Sequence, residues 1–378
     1  MSKKRILIIC SASYSLIHFR GDFIKELLKN GYDVYAAAPN FREDIAEILV
    51  SIGAKPIAFK LQRTGLNPLK DLKTIFELKK IIKENKIDLV FPYTIKPVIY
   101  GSLAANFNKV PVISLITGLG FTFSGASKKA EILQKVTQFL YRISLSKNKI
   151  VIFQNSDDYQ LFLEKRIITK SQKISIVGGS GVNLNRYKYR VNNNTSEEIS
   201  FLIVARLIME KGIELFLEAA EVLKEKYPAT KFHVIGSPDK SPSAIKEERL
   251  ISLNEQETII YHGSQNNIQE HLYNGDVFVL PTFYREGIPR SILEALSVGL
   301  PIITTDSPGC KETVINYENG ILIPPKNIDA LIAAMEFFIT NRSKLKEMGI
   351  KSRKYAEQKF DVSIINENLL KSINSELK

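Results

Sequence analysis

The sequence predicts an α/β protein built from two doubly wound, Rossmann-like halves. Short apolar runs alternate with stretches of helical periodicity along nearly all 378 residues, a pattern typical of parallel sheets covered by helices. The alternation stops once, at the polar, turn-rich stretch 191–198, and then starts again. A chain of this length also exceeds one ordinary domain. We therefore expect a first domain at 1–190, a second at 191–359, and a closing helix at 360–378 that packs back on the first.

The first half begins as a βαβ unit and continues the same way. Its predicted strands are 6–10, 33–38, 55–59, 89–91, 112–116, 150–154 and 173–177. Its predicted helices are 20–29, 45–52, 69–85, 96–106, 130–145 and 157–164.

The second half repeats the alternation. Its predicted strands are 200–205, 231–235, 258–262, 277–281, 301–305 and 320–323. Its predicted helices are 213–227, 268–274, one that starts near 291, 329–340, 343–359 and 364–377. Two α/β halves joined by one linker are expected to enclose a cleft, a usual place for small ligands.

Composition narrows the class of protein. Cys10 and Cys310 are far apart and form no metal or redox pattern, so a reducing, cytoplasmic setting is expected. The apolar run 6–10 is too short for a signal peptide, and no run approaches the ~18 residues that span a bilayer. We expect a protein that does not cross the membrane.

Charge is concentrated in the first half. The net charge is +12, and residues 1–190 carry 31 Lys and Arg against 14 Asp and Glu. Such asymmetry indicates an anionic partner, either nucleic acid or an anionic lipid surface. A lysine-rich composition without functional meaning is the plain alternative. No nucleic-acid-binding module is recognisable, which favours lipid over nucleic acid.

Two glutamates mark the predicted ligand site. Glu286 follows the apolar run 277–281, and Glu294 lies at capping-box spacing from Ser291, a candidate N-cap. Ligands bind at the carboxyl edge of open α/β sheets, and helix N-termini favour phosphates. Carboxylates on both sides of such a cradle can accept hydrogen bonds from hydroxyl groups. The pattern predicts a phosphate-bearing, polyhydroxylated ligand such as a nucleotide sugar.

An ordered series of motifs carries a family resemblance. In the second half they are Val204-Ala205-Arg206-Leu207 with Glu210-Lys211-Gly212, Gly263 with Ile268, Pro281 with Glu286-Gly287 and Glu294-Ala295, 299–303, Pro308-Gly309 with Glu312, and Asn319-Gly320. In the first half they are His18-Phe19-Arg20, 63–68, 117–120 and 179–183. The second half resembles the retaining nucleotide-sugar glycosyltransferases of family 4, which have the GT-B architecture of two Rossmann-like domains facing across a cleft. The first half resembles the subgroup of galactosaminyltransferases that extend lipid-linked oligosaccharides in bacterial N-glycosylation.

The resemblance implies roles for residues of the second half. Arg206 and Lys211 would neutralise the departing nucleoside diphosphate, Glu286 would hold the donor sugar, and Glu294 would hold the ribose; Arg206, Lys211 and Glu286 are the catalytic candidates. The implied donor-binding residues are Arg206, Lys211, Gly236, Ser264, Ile268, Glu286, Gly287, Ile288, Arg290 and Glu294. The structural alternatives are solvated surface charges for the cations and a loop carboxylate satisfying nearby N–H groups for Glu286.

Other residues are implied for the N-terminal side of the cleft. His18, Arg20, Thr117 and Gly118 would face the acceptor or the donor sugar, although a lone histidine is more often structural. The sequence has neither an Asp-x-Asp motif nor a cluster with zinc spacing, so no metal is expected. The resemblance supplies no protein nucleophile.

The implied activity is a retaining transfer of a hexose or N-acetylhexosamine from a UDP-sugar, which is a substrate, with no cofactor. The implied acceptor is a polyprenyl-diphosphate-linked saccharide, and the enzyme would be peripheral on the inner face of the bacterial plasma membrane. Candidate membrane-facing segments are helix 69–85, with Lys70, Lys73, Lys79, Lys80 and Lys83, and segment 125–145, with Lys128, Lys129, Lys135 and Arg142. Two alternatives stay open, a soluble or protein acceptor and a UDP-sugar 2-epimerase.

Overall fold

The computed structural model of the protein describes residues 3–62, 65, 67–120, 128–191, 198–239 and 241–377. They form two α/β units, residues up to 180 with those from 363 onwards, and residues 181–362. The boundaries thus fall at 180 and 362 rather than at 190 and 359. The reason is that Val182 N donates to Phe360 O at 2.8 Å and that Tyr187 lies in the core of the second unit. Most of the predicted linker lies outside the described residues.

Parallel strands form the sheet of the first unit. They are β1 (Arg5–Ile9), β2 (Asp33–Ala38), β3 (Lys55–Ala58), β4 (Leu89–Pro92), β5 (Ile113–Ile116), β6 (Ile150–Phe153) and β7 (Ile174–Ile176). Their order is β3-β2-β1-β4 and β5-β6-β7, and bridges at Val90–Val112 and Tyr93–Leu115 join the two parts. The central strands are apolar and buried on both faces, as in a sheet with helices on both sides.

Helices cover both faces of this sheet. They are α1 (Tyr14–His18), α2 (Gly21–Lys29), α3 (Glu43–Ser51), α4 (Pro68–Glu84), α5 (Ile95–Phe107), α6 (Lys128–Leu145) and α7 (Ser156–Glu164). The buried residues of α4 to α7 share one core cluster, and those of α1 to α3 share another on the opposite face. Helix α1 was not predicted, because five residues are too few to show a helical period.

The second unit has one parallel sheet of order β10-β9-β8-β11-β12-β13. Its strands are β8 (Ser200–Val204), β9 (Lys231–Ile235), β10 (Ile260–Gly263), β11 (Val277–Leu280), β12 (Ile302–Thr305) and β13 (Gly320–Ile323). Its helices are α8 (Ile213–Lys226), α9 (Glu247–Glu255), α10 (Ile268–Asn274), α11 (Arg290–Val298), α12 (Ile328–Thr340) and α13 (Ser343–Tyr355), followed by a π-helical turn at Ala356–Phe360. Helix α9 was missed, since it buries only Leu250 and Leu253. The predicted helix 343–359 changes to π geometry after Tyr355.

The last helix, α14 (Val362–Leu377), returns to the first unit. Ile365, Leu369 and Ile373 are buried in the core that contains α1 to α3. Tyr32 Oη donates to Asn374 Oδ1 at 2.5 Å, which ties the helix to the start of β2. In the part of the chain that the structure describes, no helix has the length and apolar character needed to cross a bilayer.

Candidate active site

Two loops at the carboxyl ends of neighbouring strands build the centre of the candidate site. Arg206 lies just beyond β8, and Lys211 ends the 3₁₀ turn Met209–Lys211. Thr282 Oγ1, Phe283 N and Tyr284 N, from the loop after β11, all donate to the Glu210 carbonyl oxygen at 2.9–3.0 Å. These hydrogen bonds fix the position of Lys211 relative to the loop that carries Glu286.

Gly212 permits this close approach of the two loops. Its φ is +74°, and a Cβ atom there would lie 2.3 Å from the Pro281 carbonyl oxygen. Both the left-handed backbone and the contact require glycine.

Lys211 and Glu286 form an ion pair in the described structure. Their side chains are only 14% and 13% exposed. The Tyr284 ring lies 5.5 Å from Lys211 Nζ and 5.8 Å from the Arg206 guanidinium carbon, so one aromatic side chain contacts both cations. The structure therefore brings the three predicted catalytic residues together, because Tyr284 contacts both cations and Lys211 pairs with Glu286. Two cations at a sheet edge can bind a diphosphate, and the adjacent carboxylate can accept hydrogen bonds from sugar hydroxyls.

Glu294 is held from two sides. Tyr187 Oη donates to its carboxylate at 2.9 Å, and Arg290 Nε donates to it at 2.9 Å. Burial and the nearby Glu294 carboxylate raise the pKa of Tyr187, so this phenol stays protonated and donates. Arg290, one of the implied donor-binding residues, pairs with Glu294 along its own helix in the described structure.

The predicted capping box at Ser291 is wrong. Helix α11 starts one residue earlier, at Arg290, with Pro289 at the N-cap position and no side-chain cap. Pro289 has φ −65° and ψ 119°, an extended conformation, so the helix begins at the next residue. Glu294 consequently lies in the second turn of α11, where its carboxylate meets Tyr187.

The loop after β12 packs closely against the Glu286–Gly287 backbone. Gly309 has φ +84°, and a Cβ atom there would lie 1.9 Å from the Gly287 carbonyl oxygen. The neighbouring Cys310 is fully buried, and burial raises the pKa of its thiol. A side chain at position 309 would therefore displace Gly287 or the backbone next to it, including the turn that presents Glu286 and Ile288.

Three further donor-binding candidates, Gly236, Ser264 and Ile268, follow β9 and β10, which lie beside β8 in the order β10-β9-β8. Gly236 N donates to Gly263 O at 2.9 Å, and Ser237 Oγ donates to Ser264 Oγ at 3.0 Å. Gly236 leaves no room for a side chain, because a Cβ atom would lie 2.0 Å from the Ala205 carbonyl oxygen. Ile268 begins α10 after this segment. Asp239 pairs with Arg206 at 3.6 Å and links this strip to the cations.

The site candidates of the first unit differ in their exposure to solvent. His18 is exposed at the end of α1, whereas Arg20 is 2% exposed with its guanidinium carbon 5.6 Å from the Tyr93 ring centre. Thr117 and Gly118 follow β5, and Gly118 has φ +97°. Residues 63, 64 and 66 of the motif at 63–68 lie outside the described residues.

Sequence reasoning missed Tyr187 and Tyr284. Tyr284 had a local signal, an aromatic residue two positions before Glu286. Tyr187 had none, because 107 residues separate it from Glu294.

Within the described ranges there is no group of three or more His, Cys, Asp or Glu able to hold a metal ion.

Comparison with known proteins assigns the chain to a family. The model for "Glycosyl transferase 4-like" proteins matches residues 5–155, and the model for "Glycosyl transferases group 1" matches residues 185–355. The chain is a family 4 glycosyltransferase. This glycosyltransferase is also similar over its whole length to a solved glycosyltransferase from Rickettsia africae, with a TM-score of 0.80, 20% identity and 100% of each chain covered. The GT-B fold expected from the sequence is thereby confirmed.

Two curated relatives add detail about similar proteins. The glycosyltransferase is 29% identical to the N,N'-diacetylbacillosaminyl-diphospho-undecaprenol alpha-1,3-N-acetylgalactosaminyltransferase of Campylobacter jejuni, over 99% of both chains. It is 29% identical to the UDP-Gal:alpha-D-GlcNAc-diphosphoundecaprenol alpha-1,3-galactosyltransferase of Escherichia coli, over 72% of this chain and 71% of the relative.

Proposed function

We propose that this glycosyltransferase transfers a hexose or N-acetylhexosamine from a UDP-sugar to a hydroxyl group of a glycan carried on undecaprenyl diphosphate. The observation that carries the proposal is the grouping of Arg206, Lys211 and Glu286 at the edge formed by β8 and β11, where Tyr284 contacts both cations and Lys211 pairs with Glu286. The names of the two curated relatives, which act on diphosphoundecaprenol-linked sugars, support the choice of acceptor.

The ion pair suggests how the donor engages the site. A diphosphate between Arg206 and Lys211 offers both cations oxygen atoms with more charge than one carboxylate. Lys211 then turns towards the phosphate, and the Glu286 carboxylate becomes available to the hydroxyls of the donor sugar. Glu294, held by Tyr187, accepts hydrogen bonds from the ribose.

The proposed reaction retains the anomeric configuration. The bond from the anomeric carbon to the phosphate oxygen breaks, the acceptor oxygen bonds to the same face, and the acceptor proton passes to the departing diphosphate. Arg206 and Lys211 stabilise the charge that develops on that diphosphate. We propose that these cations make a metal unnecessary, so a chelator is expected to leave the rate unchanged.

One screen tests the proposal and its alternatives. The purified protein is offered UDP- and GDP-sugars with a polyprenyl-diphosphate saccharide, a free saccharide or no acceptor, and products are analysed by mass spectrometry and NMR. The expected result is an α-linked product from a UDP-sugar that requires the lipid-linked acceptor. Transfer only to the free saccharide, or a donor epimerised at C2 without acceptor, would overturn it.

A further inference from the structure

One side of helix α6 exposes a continuous apolar stripe. The stripe consists of Ile132, Val136, Phe139 and Ile143, which are 66%, 37%, 56% and 45% exposed. Their spacing of four, three and four residues places them on one face of a helix with 3.6 residues per turn. The solvent-facing side of a helix normally carries polar residues, so this α6 stripe indicates an interaction surface.

The stripe faces away from the core of the first unit. Thr137, Tyr141 and Leu145, on the opposite side of α6, are 5% exposed or less, and the last two lie in the core cluster beneath α4 to α7. The helix is therefore apolar on two faces, and only one of these faces packs against the core of the first unit. Replacing stripe residues should leave the packing of α6 unchanged.

Helix α4 adds a second apolar group to the same helical layer. Leu69, Leu72 and Phe76 are 78%, 54% and 56% exposed, and they lie opposite the buried Leu78 on their helix. Both α4 and α6 pack on the core that also holds α5. The exposed groups of both helices consequently point away from the same face of the sheet.

Cations border the α6 stripe. Lys135 and Arg142 are exposed on one flank of it. Arg142 Nε donates to the Arg166 carbonyl oxygen at 2.7 Å, and its Nη2 donates to the Lys165 carbonyl oxygen at 3.0 Å. These bonds bring two further exposed basic residues to the C-terminal part of α6. An apolar stripe with a basic border matches a surface that offers acyl chains beside anionic head groups.

A second copy of the chain fits this surface poorly. A two-fold symmetric contact brings the same patch of each copy together, so Lys135 and Arg142 of both copies would be crowded into one interface. Interface cores are also depleted of lysine. The basic border thus favours lipid over self-association.

We propose that α6 docks into the interfacial layer of an anionic phospholipid membrane, with the α6 stripe among the acyl chains and Lys135 and Arg142 at the lipid phosphates. The proposal deepens the proposed function, on which it rests for the meaning of the contact, because a lipid-linked acceptor lies in that layer. Helix α6 follows β5, so its first turn lies towards the carboxyl edge of the sheet, on the side of Thr117 and Gly118. Docking of α6 therefore brings this edge to the lipid surface.

Vesicle flotation tests the docking without any catalysis. The test variant is Ile132→Ser/Phe139→Ser, and the matched control is Val222→Ser/Ile251→Ser, two residues 50% and 47% exposed on helices of the second unit. With vesicles containing about 30 mol% phosphatidylglycerol, we expect the wild type and the control to float equally. The stripe variant should partition at least about tenfold more weakly, with an unchanged melting temperature. Equal flotation of the stripe variant, or no flotation of the wild type, would overturn the proposal.

A fluorescence experiment distinguishes insertion from surface adhesion. The chain has no tryptophan, so Phe139→Trp and Val222→Trp each create a single probe. On binding, Phe139→Trp should show blue-shifted emission and quenching by brominated acyl chains, and Val222→Trp should show neither. Lipid insertion would be contradicted if vesicles left the emission of Phe139→Trp unchanged. It would also be contradicted if light scattering showed a dimer of the wild type that the stripe variant does not form.

Activity assays separate this inference from the proposed function. The stripe variant should transfer sugar to a short-chain, water-soluble acceptor at the wild-type rate and more slowly to a long-chain acceptor in vesicles. If the wild type floats and the probe is quenched but no sugar is transferred to any lipid-linked acceptor, the proposed function fails and the docking stands. If transfer occurs but the wild type does not float, the docking fails alone.

Discussion

Lys211 and Glu286 form an ion pair across 75 residues of sequence. The pairing exists because β8 and β11 are neighbours in the sheet and the Glu210 carbonyl oxygen ties their loops together. Both side chains are mostly buried, so removing one partner leaves the other poorly solvated. Under the proposed function, an incoming diphosphate takes the place of the Glu286 carboxylate at Lys211.

Lys211→Ala should lower turnover by about a hundredfold or more, because the departing diphosphate loses a cation in the transition state. The measurement is the initial rate of UDP release at saturating acceptor. The matched control is Lys226→Ala, since Lys226 pairs with Glu336 on the surface of the same unit, with a 62% exposed side chain. Similar rates for Lys211→Ala and this control would refute the site assignment.

Tyr187→Phe should raise the KM for the donor by about tenfold or more, with a smaller effect on kcat. The phenol donates one of the hydrogen bonds that hold Glu294 in the described structure, and a hydrogen bond to a charged group contributes about 1.5–3 kcal/mol. Steady-state kinetics with varied donor measures the effect.

The control for this variant is Tyr227→Phe. Tyr227 Oη also donates to a glutamate, Glu336, at 2.5 Å, but it lies between α8 and α12. Its removal should change neither constant. An equal rise in donor KM for both variants would show that Tyr187 acts through general stability rather than through Glu294.

The sequence predicted the fold better than it predicted the contacts of the site. Apolar runs such as 277–281 carry their own signal, because a buried parallel strand is apolar on both faces. The loop positions of Glu286 and Lys211 follow from those strands. Their partners do not, since the contacts of Tyr187 with Glu294 and of Glu210 with the β11 loop depend on which strands are neighbours. The early start of α11 was missed because Pro289 outweighed the capping-box spacing of Ser291.

Gly309→Ala should reduce both stability and turnover. Its Cβ atom would lie 1.9 Å from the Gly287 carbonyl oxygen, so the backbone next to Glu286 must shift. Gly31→Ala is the control, since Gly31 also has positive φ, +85°, but no atom lies within 4 Å of the added Cβ.

Gly31→Ala should lower the free energy of unfolding by about 1 kcal/mol, because alanine is strained in the left-handed backbone. It should keep full activity. Gly309→Ala should cost distinctly more in urea unfolding and lower kcat. If the two variants lose the same free energy of unfolding and both stay fully active, the loop contact has no role in presenting Glu286.

Stability should also fall below neutral pH because of a histidine cluster in the second unit. His233 Nδ1 lies 2.9 Å from His262 Nε2, and the His262 and His271 rings are in contact, with centroids 4.5 Å apart. Burial, with His262, Lys231 and His271 nearby and Glu198 opposing them, lowers the pKa of His233 to about 4. Burial and His271 lower the pKa of His262 as well.

The sign of the effect follows from proton binding. Between about pH 4 and the ordinary histidine pKa of about 6.5, the unfolded chain binds a proton that the folded chain excludes at His233. The contribution of neutral His233 to the free energy of unfolding is complete above about pH 6.5 and is lost as the pH falls towards 4. His233 alone should make the protein roughly 2 kcal/mol less stable at pH 5 than at pH 7.5.

His233→Asn keeps a hydrogen-bonding group near the position of Nδ1 but cannot take up this proton. Urea unfolding at several pH values should show a flatter dependence on pH for this variant between about pH 4 and 6.5. The same slope in His233→Asn as in the wild type would place the acid sensitivity elsewhere in the chain.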